Sequence, residues 1–436
     1  MKLILLSGGS GRRLWPLSSD YRSKQFLKVL ENDEGHYESM IQRVWRQLKK
    51  AELHRDAYIV ANASQTEMLQ YQLNEDVPII VEPARKDTFP AISLAVLYLI
   101  DCVMIDPDET VCVLPVDSFV EDAFFHNLRV LERVLENRKV ELALMGATPT
   151  YPSAKYGYIL TGSQVDQYYW VETFVEKPTE SVAVDLLEQR ALWNCGIFAF
   201  RGRFLLDHLE SIQLPTNYYT FTENYFKLEA ISFDYSVVEH TRHIAVLPYK
   251  GDWKDLGTWN TLTEEIREPV IGRGSLSKDC DNTHVVNELN LPVKVLGISN
   301  AVIAVSSDGI LVTDKASSPR LKEMLIDDKE HRTMYEERFW GWYRVLDDIV
   351  KEDHEIITRK IMIYESKAYT ERILPSSIEV ITIISGKCVL NLDGVQSTLG
   401  SGDTVRIFEK STRILQALTE TECIQVQHIH AFQVVK

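Results

Sequence analysis

Short apolar runs recur between Leu3 and Met145, each separated from the next by a longer amphipathic stretch. This alternation restricts the chain more than any other feature. The runs Leu3–Leu6, Tyr58–Ala61, Ile79–Val81, Val111–Leu114 and Leu142–Met145 have the length and composition of buried strands. Helical patterns over Glu38–Lys49, Gln65–Leu73, Phe89–Met104 and Ala123–Glu136 lie between them and supply crossovers long enough for parallel strands. An α/β layered, Rossmann-like fold is therefore expected, with ligands outside the carboxyl ends of its strands.

After about Thr263 the texture changes. Val285–Val312 reads as short β segments, a helix is expected at Arg320–Ile326, and the charged stretch Asp327–Arg338 reads as a linker. From Phe339 onward the pattern is β, with turns at Asp393-Gly394, Gly400 and Gly402-Asp403, which suggests a small sandwich or barrel. A length of 436 residues suits two or three domains, and the boundaries expected are 1–265, 266–330 and 331–436. The net charge of −16 argues against general affinity for nucleic acid or for an anionic membrane. Ala91–Ile100 is about half the length that spans a bilayer, and Leu3–Leu6 is too short for the apolar part of a signal peptide. Six scattered cysteines without C-x-x-C spacing read as reduced thiols, so a cytoplasmic protein without membrane segments is expected.

Against this acidic background the amino-terminal segment stands out. Leu6-Ser7-Gly8-Gly9-Ser10-Gly11-Arg12-Arg13-Leu14 follows the first strand, and its glycines let backbone N–H groups approach an anion without Cβ obstruction. Residues 1–28 hold Lys2, Arg12, Arg13, Arg22, Lys24 and Lys28 against one acid, Asp20. The Walker spacing is absent, and Leu14 stands where a dinucleotide fingerprint has its third glycine. Glycine content and charge thus indicate a phosphate cradle and leave several nucleotide enzymes open.

The run through Leu17, followed by Ser23-Lys24-Gln25-Phe26-Leu27, resembles the signature of bacterial mannose-1-phosphate guanylyltransferases. Arg12 departs from the usual threonine and Ser23 from a common proline. The resemblance extends to about residue 265 and implies GTP and mannose 1-phosphate as substrates, with Leu6, Gly8, Gly9, Gly11 and Arg12 at the nucleotide and Arg13 and Lys24 on its phosphates. Glu82-Pro83-Ala84-Arg85-Lys86-Asp87-Thr88 resembles the base and ribose loop, placing Glu82 and Asp87 at the nucleotide, although Lys86 and Asp87 replace the usual arginine and asparagine. Asp117 in Leu114-Pro115-Val116-Asp117-Ser118 and Asp255 in Trp253-Lys254-Asp255-Leu256-Gly257 match the two carboxylates that hold Mg²⁺ in that family. Phe174-Val175-Glu176-Lys177-Pro178, Tyr156-Gly157-Tyr158 and Trp193-Asn194-Cys195-Gly196 match its sugar-phosphate pocket, which implies Gly157, Glu176, Lys177 and Asn194 as contacts.

The carboxyl-terminal region resembles, more weakly, the cupin-like phosphomannose isomerase half of fused bifunctional enzymes, from Arg338-Phe339-Trp340-Gly341-Trp342-Tyr343 onward. Glu379 falls on that family's metal-binding glutamate, while Arg372, Leu374 and Arg413 stand at the other three ligand positions. Leucine cannot ligate and arginine repels a cation, so isomerase activity is expected to be lost and the domain to be structural, to aid formation of a homodimer or to bind a regulator. His428 and His430 share one face if their segment is a strand, and a solvated or packed pair is preferred there to a metal site because no third ligand is apparent. Two alternatives stay open: a different sugar phosphate or nucleotide, and a non-catalytic sugar-nucleotide sensor.

Overall fold

The computed structural model describes residues 1–9, 12–19, 22–74, 76–325, 332–351, 353–372, 377–408 and 412–430. Two compact units make up the chain: Met1–Ser10 with Gln25–Gly257, and Gly11–Lys24 with Thr258–Lys436. The glycine-rich segment therefore begins in the first unit and continues into the second.

The first unit contains β1 (Lys2–Leu6), β2 (Leu30–Glu31), β3 (Tyr37–Glu38), β4 (Ala57–Asn62), β5 (Ile79–Glu82), β6 (Thr110–Pro115), β7 (Ser118–Val120), β8 (Leu142–Ala147), β9 (Tyr158–Val165), β10 (Tyr168–Val175), β11 (Leu192–Arg201), β12 (Ile244–Tyr249) and β13 (Trp253–Asp255). Nine of these form one sheet in the order β5-β4-β1-β6-β11-β8-β12-β10-β9. All five expected strands are present, and β5, β4, β1 and β6 pair in parallel. The centre departs from a purely parallel sheet, because β11 runs antiparallel to both β6 and β8. Consequently the start of β11 lies at the carboxyl end of β8, with Asn194 opposite Gly146.

Helices α1 (Met40–Lys50), α2 (Thr66–Leu73), α3 (Thr88–Asp101) and α4 (His126–Val134) correspond to the four helical patterns, with the last one opening as a 3₁₀ turn. Ser39 and Gln42 close a reciprocal capping box at the start of α1, a device that contributes about 1 kcal/mol. Alternate residues of β1 enter opposite cores: Leu3 and Leu5 pack with α1, α2 and α4, and Ile4 with α3. The apolar run at Ala91–Ile100 lies in that second core, and no helix among the described residues is long and apolar enough to cross a membrane.

In the second unit, Val270–Gly272, His284–Asn287 and Ala301–Ser306 stack in parallel, and Gly309–Asp314 returns antiparallel to the last. Arg12–Leu14 forms a 3₁₀ turn, and the following chain is tied to the rest of this unit: Trp259 Nε1, at the start of the helix Trp259–Glu265, donates to the Trp15 carbonyl at 3.0 Å, and Ser306 Oγ in the β region to that of Pro16 at 2.8 Å. Only Leu321–Met324 of the helix expected at Arg320–Ile326 is α-helical; Ile326 lies outside the described residues. The expected linker is also corrected in part, since Tyr335–Arg338 is a strand paired with Gly341–Arg344, while 327–331 lie outside the described residues. Its charge misled because Glu336 points inward, where it accepts a hydrogen bond from Tyr343 Oη.

The carboxyl-terminal residues form a six-stranded and a four-stranded antiparallel sheet. Ile361, Ile381, Ile407 and Cys423 from the first pack with Tyr369, Cys388, Leu390 and Leu415 from the second, giving one core between two sheets, as the expected small sandwich requires. Arg413, with no exposed surface, donates to Glu379 Oε1 at 2.5 Å and to Glu371 Oε2 at 2.6 Å, and stacks over the Tyr369 ring at 4.6 Å. Burial opposes the guanidinium charge, but Tyr369, Glu379 and Glu371 outweigh it and raise its pKa. An internal cation thus already neutralises the glutamate that a metal would require, and the residues do not fit a metal ion. Leu374 lies outside the described residues. His428 and His430 meet edge to face with ring centres 4.6 Å apart, His354 lies 4.9 Å from His428, and no set of three or more metal-ligating side chains occurs among the described residues.

Removing one partner from a buried ion pair leaves the remaining charges uncompensated. Arg413→Met is expected to cost about 3–5 kcal/mol in denaturant unfolding. The triple variant that also carries Glu371→Gln and Glu379→Gln should recover much of that loss.

Candidate active site

Strand register brings two of the carboxylate and glycine motifs to one end of the sheet in the first unit. Leu6 lies opposite Pro115, and the Val116 N–H donates to the Leu6 carbonyl at 3.2 Å, so Ser7-Gly8-Gly9 and Asp117 leave neighbouring strands side by side. The loop is held from below by Gln25, whose amide donates to the Ser7 carbonyl at 3.0 Å and to its hydroxyl at 3.2 Å. Gly9 has a φ of +105°, a conformation that favours glycine, and a Cβ on either Gly8 or Gly9 would meet nothing within 4 Å. The space over this loop is open. Gly11 lies outside the described residues.

The second aspartate arrives on a two-stranded ribbon. β13 pairs antiparallel with β7 so that Asp255 faces Ser118, the residue after Asp117. Gly257 lets the backbone bend close to this carboxylate, since a Cβ there would stand 3.0 Å from Asp255 Oδ1. Two carboxylates are thereby presented from adjacent backbone positions. Such a pair fits Mg²⁺, which takes few protein carboxylates and fills its remaining positions with phosphate oxygens and water.

The sugar-phosphate motifs converge through β9, β10 and β11. Val175 lies opposite Tyr158, which also pairs with Trp193, and the Asn194 N–H donates to the Gly157 carbonyl at 2.8 Å. Glu176 is nearly buried and pairs with Lys177 Nζ at 2.5 Å, while Lys177 has a φ of +46° and its ammonium lies 5.5 Å from the centre of the Tyr235 ring. Burial disfavours the ammonium, but the hydrogen bond and charge of Glu176 outweigh it and raise the Lys177 pKa. A Cβ on Gly157 would come within contact-forbidden range of Glu176 Oε2 and 3.0 Å from Phe174, so the bare glycine makes room for this carboxylate. Cys195 points into the core, and burial raises its thiol pKa.

Asp234, which no sequence motif indicated, joins this group. It accepts from Asn194 Nδ2 at 2.7 Å, and burial followed by the charge of Glu176 pushes its pKa up to about 7, against the opposing effects of Lys177 and Asn194. Its short helix, Phe233–Ser236, is anchored by Phe233, which is buried against Phe200 and donates its N–H to Thr88 Oγ1 at 2.8 Å. Forty residues separate Asp234 from Asn194, and nothing in its local pattern marks it.

Other expected contacts have structural partners. Glu82 is buried, with Oε1 accepting from Tyr225 Oη at 2.8 Å and from the Lys86 N–H at 3.1 Å, which fixes the loop that follows it. Asp87 caps α3 through the Thr88 N–H at 2.7 Å. Of the six amino-terminal cations, Lys2 pairs with Asp56 at 2.6 Å, Arg22 is taken up by Glu288 at 2.8 Å, and Lys28 lies over the Tyr71 ring at 5.6 Å. The cationic character read from that segment is therefore partly structural. Arg12, Arg13 and Lys24 belong to the second unit, whereas Asp117, Asp255 and the Glu176–Lys177 group belong to the first.

Residues 2–269 match the family model described as nucleotidyl transferase. The chain belongs to the nucleotidyl transferase family. It is similar to mannose-1-phosphate guanylyltransferase of Salmonella typhimurium, with 29% identity across 79% of this chain and 77% of that protein. Xanthan biosynthesis protein XanB of Xanthomonas campestris is also 29% identical, over 79% of this chain and 78% of its own. A crystal structure described as mannose-1-phosphate geranyltransferase from Thermus thermophilus covers 74% of this chain and 98% of its own at 27% identity, with a TM-score of 0.64.

In this nucleotidyltransferase, a carboxyl group held above its unfolded pKa binds its proton more tightly when folded. That stability is present below about pH 4 and is lost as pH rises towards the folded value of about 7. Unfolding measurements on Asp234→Asn and the parent should diverge in favour of the variant between those limits and run parallel above them.

Proposed function

We propose that this nucleotidyltransferase joins GTP to mannose 1-phosphate, forming GDP-mannose and pyrophosphate. The observation that carries the reading is the arrangement in the first unit: an open glycine loop beside Asp117 on one side, and a Glu176–Lys177–Asn194 pocket on the other. The relatives named for mannose-1-phosphate guanylyltransferase and xanthan biosynthesis favour this substrate pair and a role in polysaccharide precursor supply.

A sugar phosphate has a second pKa of about 6 and is largely ionised at neutral pH, so its oxygen can attack without a general base. What the chain must supply is charge neutralisation and alignment of the attacking oxygen with the α-phosphorus and the departing pyrophosphate. Gly8 and Gly9 admit the nucleotide phosphates close to the backbone, Arg13 and Lys24 neutralise them, and Arg12 adds a further cation to the same segment. Leu6, Glu82 and Asp87 shape the nucleoside side. Lys177 pairs with the sugar phosphate, while Glu176 and Asn194 take up sugar hydroxyls and Gly157 leaves room for Glu176. Asp117 and Asp255 would hold Mg²⁺, which when bound neutralises charge on the phosphate oxygens. Residues 1–265 carry the reaction in this reading, 266–330 connect, and 331–436 form a non-catalytic domain.

A panel of nucleoside triphosphates and sugar phosphates, scored by Mg²⁺-dependent pyrophosphate release, tests the proposal. GTP with mannose 1-phosphate should give the highest kcat/KM, and absence of product with GTP would remove it. Asp117→Asn and Asp255→Asn should each lower kcat by about 10²-fold or more. Lys177→Ala should instead act mainly through the KM for the sugar phosphate.

A further inference from the structure

We infer that Asp234 is a positioning residue of the sugar-phosphate pocket, fixing the Asn194 amide in the orientation that reads a sugar hydroxyl. The inference rests on the reading of that pocket given above. The backbone N–H of Gly196 can only donate, which turns the Asn194 carbonyl towards it and leaves the NH₂ facing Asp234 Oδ1 at 2.7 Å. The carbonyl end of the same amide accepts from the Gly196 N–H at 3.1 Å. Gly196 is itself held in the glycine-favoured region, with a φ of +68°, at the register break between Asn194 and Phe198. Both ends of the side chain are thereby assigned, and flipping the amide would set its NH₂ against a backbone N–H. One Nδ2 hydrogen and one Oδ1 lone pair remain for a ligand, in fixed directions.

The support behind Asp234 is independent of the ligand. Phe233 stacks on Phe200 with ring centres 5.6 Å apart, and the Phe89 N–H donates to the Ile231 carbonyl at 3.1 Å, which ties the segment to the start of α3. On its other side Asp234 shares the field of Lys177 with Glu176, whose Oε2 is buried without a partner among the described residues. Tyr235, the next residue, lies beside the Lys177 ammonium. The short helix Phe233–Ser236 therefore braces both the hydroxyl-reading amide and the phosphate-pairing lysine.

The test compares Asp234→Ala with Asp234→Asn, which retains an acceptor for the Asn194 NH₂. Loss of a hydrogen bond to a charged group corresponds to about tenfold in affinity. Asp234→Ala should raise the KM for mannose 1-phosphate by about that factor while leaving the KM for GTP and kcat within about threefold, and Asp234→Asn should restore most of the difference. Equal shifts in both KM values, an unchanged KM for mannose 1-phosphate, or an Asn variant as impaired as the Ala variant would overturn the inference. Calorimetric binding of mannose 1-phosphate separates it from the proposed reaction. Binding by the parent without product would remove the reaction alone, and the same tenfold comparison of affinities would then decide the role of Asp234. No binding by the parent would overturn both.

Discussion

The parallel pairing of β1 with β6 is the constraint on which the rest of the first unit depends. Because Leu6 stands opposite Pro115 and the Val116 N–H closes on the Leu6 carbonyl, the glycine loop and Asp117 must leave the sheet together. A shift of one residue would turn the alternating faces of β1 over, placing Ile4 in the core that receives Leu3 and Leu5. Hydrophobic burial on both faces therefore fixes the position of groups that carry charge.

The central antiparallel strand β11 completes the arrangement. In a wholly parallel sheet a strand's beginning lies away from the ligand end, yet Asn194, which we propose as a sugar contact, stands near the start of β11. Reversing the strand places it opposite Gly146, where Gly157, Glu176 and Asp234 also arrive. The pocket is built with one ammonium and two carboxylates, and burial, followed by the charge of Glu176, pushes the Asp234 pKa up to about 7 against the opposing charge of Lys177.

The carboxyl-terminal sandwich has solved a related problem differently. Its interior contains Glu371 and Glu379, and Arg413 supplies a covalently attached positive charge that needs no bound ion. Glu336 behaves in the same way at the start of that domain, facing inward to Tyr343 within a stretch whose composition reads as exposed. Arg22 is another case, since its pairing with Glu288 removes it from the cations that a sequence count assigns to phosphate binding.

The sequence by itself determined the layered α/β class, the positions of β1, β4, β5, β6 and β8, the β-rich carboxyl-terminal half and the motif glycines and carboxylates, because periodicity and turn chemistry act over a few neighbouring residues. The antiparallel course of β11, the inward roles of Glu82 and Glu336, and the contact of Asp234 with Asn194 were decided only in the tertiary structure. Each joins groups through register or burial rather than through a local pattern, and a side chain's charge in a sequence does not say whether it will meet water, a substrate or an opposite charge.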